Sequence, residues 1–234
     1  MTQYVDGVVA NSNFTLIEHI SRGLFPRACQ KVIPDPVEGP SHNSTPDAQG
    51  PRLNVGFLGT FDSVKGLDTL AAVARKLRDH PHIRFVIGGN GRNPAYDRLV
   101  HESFPFETTT FLGWVDPHEF FRQVDVLVVP SLWREPYGRI SIEARFHDVP
   151  PIVARSGGLP EYVCEGVDGF TFEAGNDLEL RQIILRIFSD RKLLRRLSNN
   201  ARAGLNRYSV DSFANELELF IDTTIAGVLS AKVA

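Results

Sequence analysis

The sequence predicts an α/β protein: an open parallel sheet with helices packed on both faces. Two observations carry this reading. From Asn54 onward, short apolar strand-like runs alternate with helical stretches, the pattern that lays strands side by side and sends each connection over a face of the sheet. Between the N-terminal region and this alternation, Glu38 to Pro51 is polar, rich in turn formers and without periodicity, which marks a linker at 38–51 and a domain boundary.

In order, Asp6 to Ser12 reads as a short buried-type strand, Asn13 to Gly23 as a helix, and Lys31 to Val37 as an extended segment stopped by prolines. This βαβ piece, residues 1–37, cannot cover both faces of its own strands and needs a further packing surface. After the linker, Asn54 to Gly59 is a strand, and Leu67, Leu70, Ala71, Ala74 and Leu77 set an apolar stripe on the next helix. Ile83 to Gly88 is a strand, Tyr96 to Phe104 a polar helix, Thr110 to Gly113 a strand, and Pro117 to Val124 a short helix. Val126 to Val129 is an apolar strand followed by a helix carrying Glu143, and Pro151 to Ala154 is another strand. Three helices close the chain, at 177–189, roughly 192–205 and 210–229. The expected domains are 1–37, 52–208 and a last helix in 209–234.

A chain of 234 residues with ordinary apolar content can bury a full core. Its net charge of −3 gives no reason to expect general nucleic-acid binding. Cys29 and Cys164 have no metal-ligand spacing, so a reducing compartment, no disulfide framework and no zinc site are expected. The N-terminus lacks a basic segment followed by an apolar run, and no stretch is long enough to span a bilayer. The chain reads as cytoplasmic.

The stretch Val126 to Glu143 holds the chemistry. If its helix starts near Tyr137 or Gly138, the first amides lack intrahelical partners and the dipole is positive there, which favours a phosphate. Glu135 and Glu143 bracket the same junction, and carboxylates suit the hydroxyls of sugars and ribose. A ligand carrying both phosphate and polyol is expected.

Glu135-Pro-Tyr-Gly followed by Glu143 resembles the signature of the large retaining glycosyltransferase family with the GT-B fold. The resemblance implies that the chain is the C-terminal, Rossmann-like donor half of that fold, with a remnant of the N-terminal acceptor domain in residues 1–37. It further implies that the last helix crosses back toward that domain. Within the family the first glutamate contacts the donor sugar, the second holds the ribose, and backbone at Tyr137 and Gly138 approaches the sugar and diphosphate.

Further matches follow in order. Gly59 to Gly66 leaves the first strand of the large domain, where Lys65-Gly66 matches a phosphate-binding pair and Thr60 stands where the family commonly has arginine. Read from the residues alone, this loop is either a phosphate contact or a plain glycine-flanked turn. Gly88 to Gly91 resembles the family's donor-side glycine turn, although an ordinary strand-to-helix turn would look the same. Trp114 either covers a base or joins the core. Asp125, Pro130 and Ser131 match around the apolar strand, and Ser156 to Glu161 and Glu165 to Gly169 match later turns.

Lys65 and Glu135 are thus the expected catalytic residues. Gly59, Thr60, Gly89, Gly91, Trp114, Tyr137, Gly138, Arg139, Ile140 and Glu143 are the expected donor-binding set. No metal or cofactor is expected besides the nucleotide-diphosphate sugar itself.

The acceptor, a glycan, lipid or small molecule, would be held by the absent half, and none of the seven histidines is assigned a catalytic role. The run Arg191 to Arg202 reads either as a helix packed through its leucines or as a weak peripheral contact with the inner face of a membrane. The expected function is retaining sugar transfer in glycan biosynthesis. A non-catalytic nucleotide-sugar-binding fragment or subunit and a sugar-nucleotide epimerase of the same fold are the alternatives.

Overall fold

The fold was taken from a computed structural model of the chain, which describes residues 4–39 and 51–233. The expected linker therefore lies largely outside the described residues. The chain divides into two compact units, one of residues 1–38 with 204–234 and one of residues 39–203.

In the larger unit six strands pair in parallel: β3 (Leu53–Leu58), β4 (Ile83–Gly88), β5 (Thr109–Gly113), β6 (Val126–Val129), β7 (Pro151–Ala154) and β8 (Phe170–Phe172). Their order is β5-β4-β3-β6-β7-β8, so the chain runs outward from β3 on one side and returns to lay β6 on the other. Alternation along the strands splits the core into two layers. Leu53, Val55 and Phe57 of β3 face the helices α2 (Leu67–Lys76), α3 (Pro94–Ser103), α6 (Asp177–Ser189) and α7 (Arg191–Ala201). Val86 and Leu127 face α4 (Pro117–Phe121) and α5 (Arg139–Phe146). On that second face Gly56 lets Phe120 and Val124 approach the strand within what would be side-chain distance, which brings α4 close to β3.

Helix boundaries follow local chemistry. Asn93 caps α3 by accepting from the amides of Ala95 and Tyr96, with Pro94 in the first turn, so the helix begins two residues before the expected Tyr96. Asp116 caps α4, which ends at Phe121 rather than Val124. Helix α7 stops at Ala201, and Leu205–Tyr208 forms a separate 3-10 turn. Leu193, Leu194 and Leu197 of α7 are buried in the core, which leaves its basic residues as the solvent face and no apolar stripe to offer a lipid surface.

The smaller unit contains β1 (Gly7–Ala10) and β2 (Cys29–Val32), paired in parallel across α1 (Asn13–Ile20), together with α8 (Val210–Val233). β2 starts at Cys29 instead of Lys31, and Pro34 and Pro36 lie beyond it, because their missing N–H groups suit the exit from a strand better than its ladder. Helix α1 ends at Ile20, short of Gly23. Phe220 and Thr224 of α8 pack on Gly7, Lys31 pairs with Glu216 at 3.7 Å, and the Val37 amide donates to the Tyr208 carbonyl. Among the described residues no helix is long and apolar enough to cross a membrane.

Candidate functional site

The reversal of strand order between β3 and β6 opens a crevice at their carboxyl ends, the place where such sheets bind ligands. Two loops fill its rim. Gly59 to Gly66 leaves β3, and Pro130 to Gly138 leaves β6. They are stitched together: the amides of Leu132 and Trp133 and the hydroxyl of Ser131 all donate to the Val64 carbonyl. Gly66, at φ +74°, admits the Pro130 carbonyl where any side chain would overlap it.

This stitching places Lys65 against Glu135, with the ammonium donating to Oε1 at 2.6 Å. The same oxygen accepts from the Ser131 hydroxyl at 3.0 Å. Glu135 Oε2 has no partner among the described residues. The Glu135 carbonyl accepts from the Gly158 amide at 2.7 Å, and Gly157, at φ +61°, lies too close to Glu135 for a side chain. Glu135 is therefore fixed through both main chain and side chain, with one carboxylate oxygen open to a hydroxylated ligand. Ser131 and the Gly157-Gly158 turn are functional supports that were visible in the sequence only as motif matches.

Helix α5 starts at Arg139. Its N-cap is Gly138 at φ +78°, and no side chain caps it. The amides of Arg139 and Ile140 thus point out of an uncapped, electropositive terminus, as expected for a phosphate site. Leu159 leaves no room for a side chain at Gly138. Tyr137 is buried edge-on against Tyr162, with ring centroids 4.8 Å apart, so only its main chain can meet a ligand. One turn into α5, Glu143 accepts from Arg139 Nε at 2.7 Å and keeps its other oxygen without a partner among the described residues.

The outer loops join the same rim. The Gly59 amide donates to the Gly88 carbonyl, the Gly89 amide to the Gly113 carbonyl at 2.6 Å, and Phe61 and Gly91 form a bridge. Gly89, at φ +116°, sits against the Gly59 carbonyl. Between these loops an open cleft of about 440 Å³ is lined by Thr60, Asp62, Ser63, Arg92, Asn93 and Tyr96, with Phe61. The Tyr96 hydroxyl is buried without a partner among the described residues. Burial, with Asp68 and Asp62 nearby, raises its pKa and keeps it a protonated donor.

Trp114 is 79% exposed at the end of β5, so it is a surface ring and not a core residue. Trp133, 56% exposed beside Glu135, is an aromatic that sequence reasoning passed over.

Other polar residues support the scaffold. Asp125 accepts from the Asn54 amide at 2.7 Å, and burial raises its pKa against that bond. Buried Arg145 of α5 donates to the carbonyls of Tyr162, Ala201 and Ala203 and pairs with Asp168 at 3.0 Å, anchoring the helix that carries Glu143. His147 contacts His118 at 2.9 Å, and its pKa is pushed down to about 4 by burial first, then by His118 and Arg202. Among the described residues no three His, Cys, Asp or Glu side chains are grouped to hold a metal ion.

The chain is similar to known proteins in sequence and in fold. A 41.2 kDa protein of the Klebsiella pneumoniae cps region is 33% identical over 135 residues, covering 56% of this chain and 36% of that protein. An uncharacterized glycosyltransferase of Methanocaldococcus jannaschii is 28% identical over 165 residues, covering 68% and 42%. The chain therefore spans about two fifths of the length of these curated relatives. The crystal structure of Anabaena HepE in complex with UDP and glucose superposes with a TM-score of 0.81 at 22% identity, over 94% of this chain and 64% of that one. It is a likeness of fold, and it makes the six-stranded sheet the C-terminal, Rossmann-like half of a GT-B architecture. The sequence pattern described as Glycosyl transferases group 1 matches residues 45–204, which include the whole sheet and both glutamates, and the chain belongs to that family.

Proposed function

We propose that the chain is the donor-binding part of a retaining glycosyltransferase that takes its sugar from a nucleoside diphosphate. The observation that supports this best is the convergence of a cation, a carboxylate and an uncapped helix terminus at the β3/β6 crevice: Lys65, Glu135 and the first amides of α5. In the reaction the bond from the anomeric carbon to the diphosphate oxygen breaks, and its electron pair leaves with the phosphate. A bond to an acceptor hydroxyl oxygen forms at the same carbon, and the hydroxyl proton passes to the departing phosphate. Negative charge grows on the departing oxygen, so donors fixed beforehand lower the barrier most.

Lys65 and the amides of Arg139 and Ile140 serve the diphosphate. Oε2 of Glu135 orients the sugar hydroxyls, while its Oε1 stays with Lys65 and Ser131. Glu143 accepts from the ribose. In this proposal the configuration is retained and the acceptor, a glycan, lipid or small molecule, is held by a further domain, as the GT-B resemblance implies. A chain with only the donor half binds its nucleotide but transfers slowly, since positioning the acceptor is worth on the order of 7 to 11 kcal/mol.

The test is a thermal-shift screen of uridine and guanosine diphosphates and their sugars, uridine first because HepE was solved with UDP. It is followed by NMR of the anomeric configuration of any product. Stabilisation by a nucleoside diphosphate but not by the free nucleoside is expected. No stabilisation by any of them refutes the proposal.

A further inference from the structure

Several cations at the carboxyl edge of the sheet already have a carboxylate partner. Lys65 is paired with Glu135, Arg139 with Glu143, and Arg155 with Glu173 and Glu179. Arg134 has a partner of its own. Arg92, exposed on the loop from β4 to α3, makes no ion pair among the described residues, yet it lines the cleft whose opposite wall is Thr60, Asp62 and Ser63. Ser63 of the cleft wall opens the 3-10 turn that ends at Lys65, two residues on in the chain.

We propose that Arg92 is a second phosphate-binding cation of the donor site, reaching across the cleft to the diphosphate; this rests on the donor reading above. Several features support it. A diphosphate carries at least two negative charges, and Lys65 arrives already partly neutralised by Glu135. The loop that carries Arg92 is held firmly: the Phe61 amide donates to the Asn90 carbonyl, and the Gly91 amide to Asp97 at 3.1 Å. The amides of Ala95 and Tyr96 are already satisfied by Asn93, so the start of α3 offers an anion little and the guanidinium supplies the attraction. Asp62, the acid of the cleft, has Oδ1 committed to the Val64 amide at 3.1 Å. A guanidinium can grip two phosphate oxygens at once, which an ammonium cannot.

The test is calorimetry of the intact chain with UDP and with uridine, and with GDP and guanosine if the screen selects guanosine. Arg92→Ala is expected to weaken the diphosphate about ten-fold, in the range of one charge-assisted contact, with the nucleoside changed less than about two-fold. Placing the cation on the facing wall, as Thr60→Arg in the Arg92→Ala background, is expected to recover most of that loss. Because Arg92 is exposed, its melting temperature serves as the folding control and should stay constant. The inference is overturned if Arg92→Ala binds the diphosphate as wild type does while Lys65→Ala binds it poorly, a result that leaves the donor reading standing. Equal loss for nucleoside and diphosphate also overturns it. Wild-type protein that binds no nucleoside diphosphate removes the donor reading and this inference with it.

Discussion

Replacing Lys65 with methionine keeps most of the stem and removes the charge, and two different magnitudes follow. The ion pair to Glu135 is 2.6 Å long, but the lysine side chain is 36% exposed and the glutamate 15%. Solvent screening leaves such a pair worth roughly 0.2 to 1 kcal/mol of stability, and Ser131 still bonds Glu135 Oε1 after the change. Melting should therefore fall by no more than about 4 °C. Binding responds more strongly. A charge-assisted contact to phosphate contributes roughly 1.5 to 3 kcal/mol, and part of that is offset because Lys65 must share itself with Glu135. The lower end is expected, a loss of about ten-fold in affinity for the diphosphate. The leaving-group charge in the transition state is larger, so donor cleavage should slow by about a hundred-fold or more. Calorimetry with diphosphate and nucleoside, alongside melting curves, reads these separately. Unchanged diphosphate affinity in a folded Lys65→Met protein would refute the assignment of Lys65 to the phosphate.

The remaining predictions concern α5 and its surroundings. Glu143→Ala should weaken nucleotide binding by roughly 1.5 to 3 kcal/mol and leave stability within about 0.5 kcal/mol, since it removes only an exposed i,i+4 pair with Arg139; calorimetry and melting check both. Arg145→Met strips three carbonyls and Asp168 of their buried partner. It should cost about 3 to 5 kcal/mol in denaturant unfolding, whereas an exposed substitution such as Arg92→Ala should not. His147 has a folded pKa of about 4, below its unfolded value of roughly 6.5. The unfolded chain therefore takes up the proton first, and stability is full above pH 6.5 and falls toward pH 4, by about 3 kcal/mol at the limit. Urea melts across that window should lose this slope in His147→Gln.

Five strands of the larger unit's sheet were legible because they are short, mostly apolar runs, with Gly59, Gly88 and Gly113 marking the ends of β3, β4 and β5 and Pro130 the end of β6. Helix α6 was readable at both ends: Asn176 caps it, and Asp190, which closes it, caps α7 in turn. β2 was placed two residues late because Cys29, Gln30 and Lys31 are exposed in a two-stranded sheet and carry no apolar pattern. β8 was seen only as the turn leading to it, since a strand of three residues gives no period to read.

The site was legible as types and spacing, and its assembly was not. Lys65 and Glu135 lie 70 residues apart, and they meet only because β3 and β6 are neighbours, a choice of strand order that periodicity does not encode. The same holds for Arg92, whose sequence neighbours give no hint that Thr60 lies across a cleft from it. Trp114 could not be sorted between core and surface from its type alone; it follows Gly113, the last residue of β5, where the pairing with β4 shifts register.

One nucleoside diphosphate is expected to lie in the crevice between β3 and β6. A crystal structure of the chain grown with UDP, or with the diphosphate the screen selects, tests it most directly. Phosphate oxygens are expected within hydrogen-bond distance of Lys65 Nζ and of the Arg139 and Ile140 amides, with ribose hydroxyls on Glu143. A nucleotide bound anywhere else on the chain, or in the crevice with its ribose away from Glu143 and its phosphates away from α5, would contradict it.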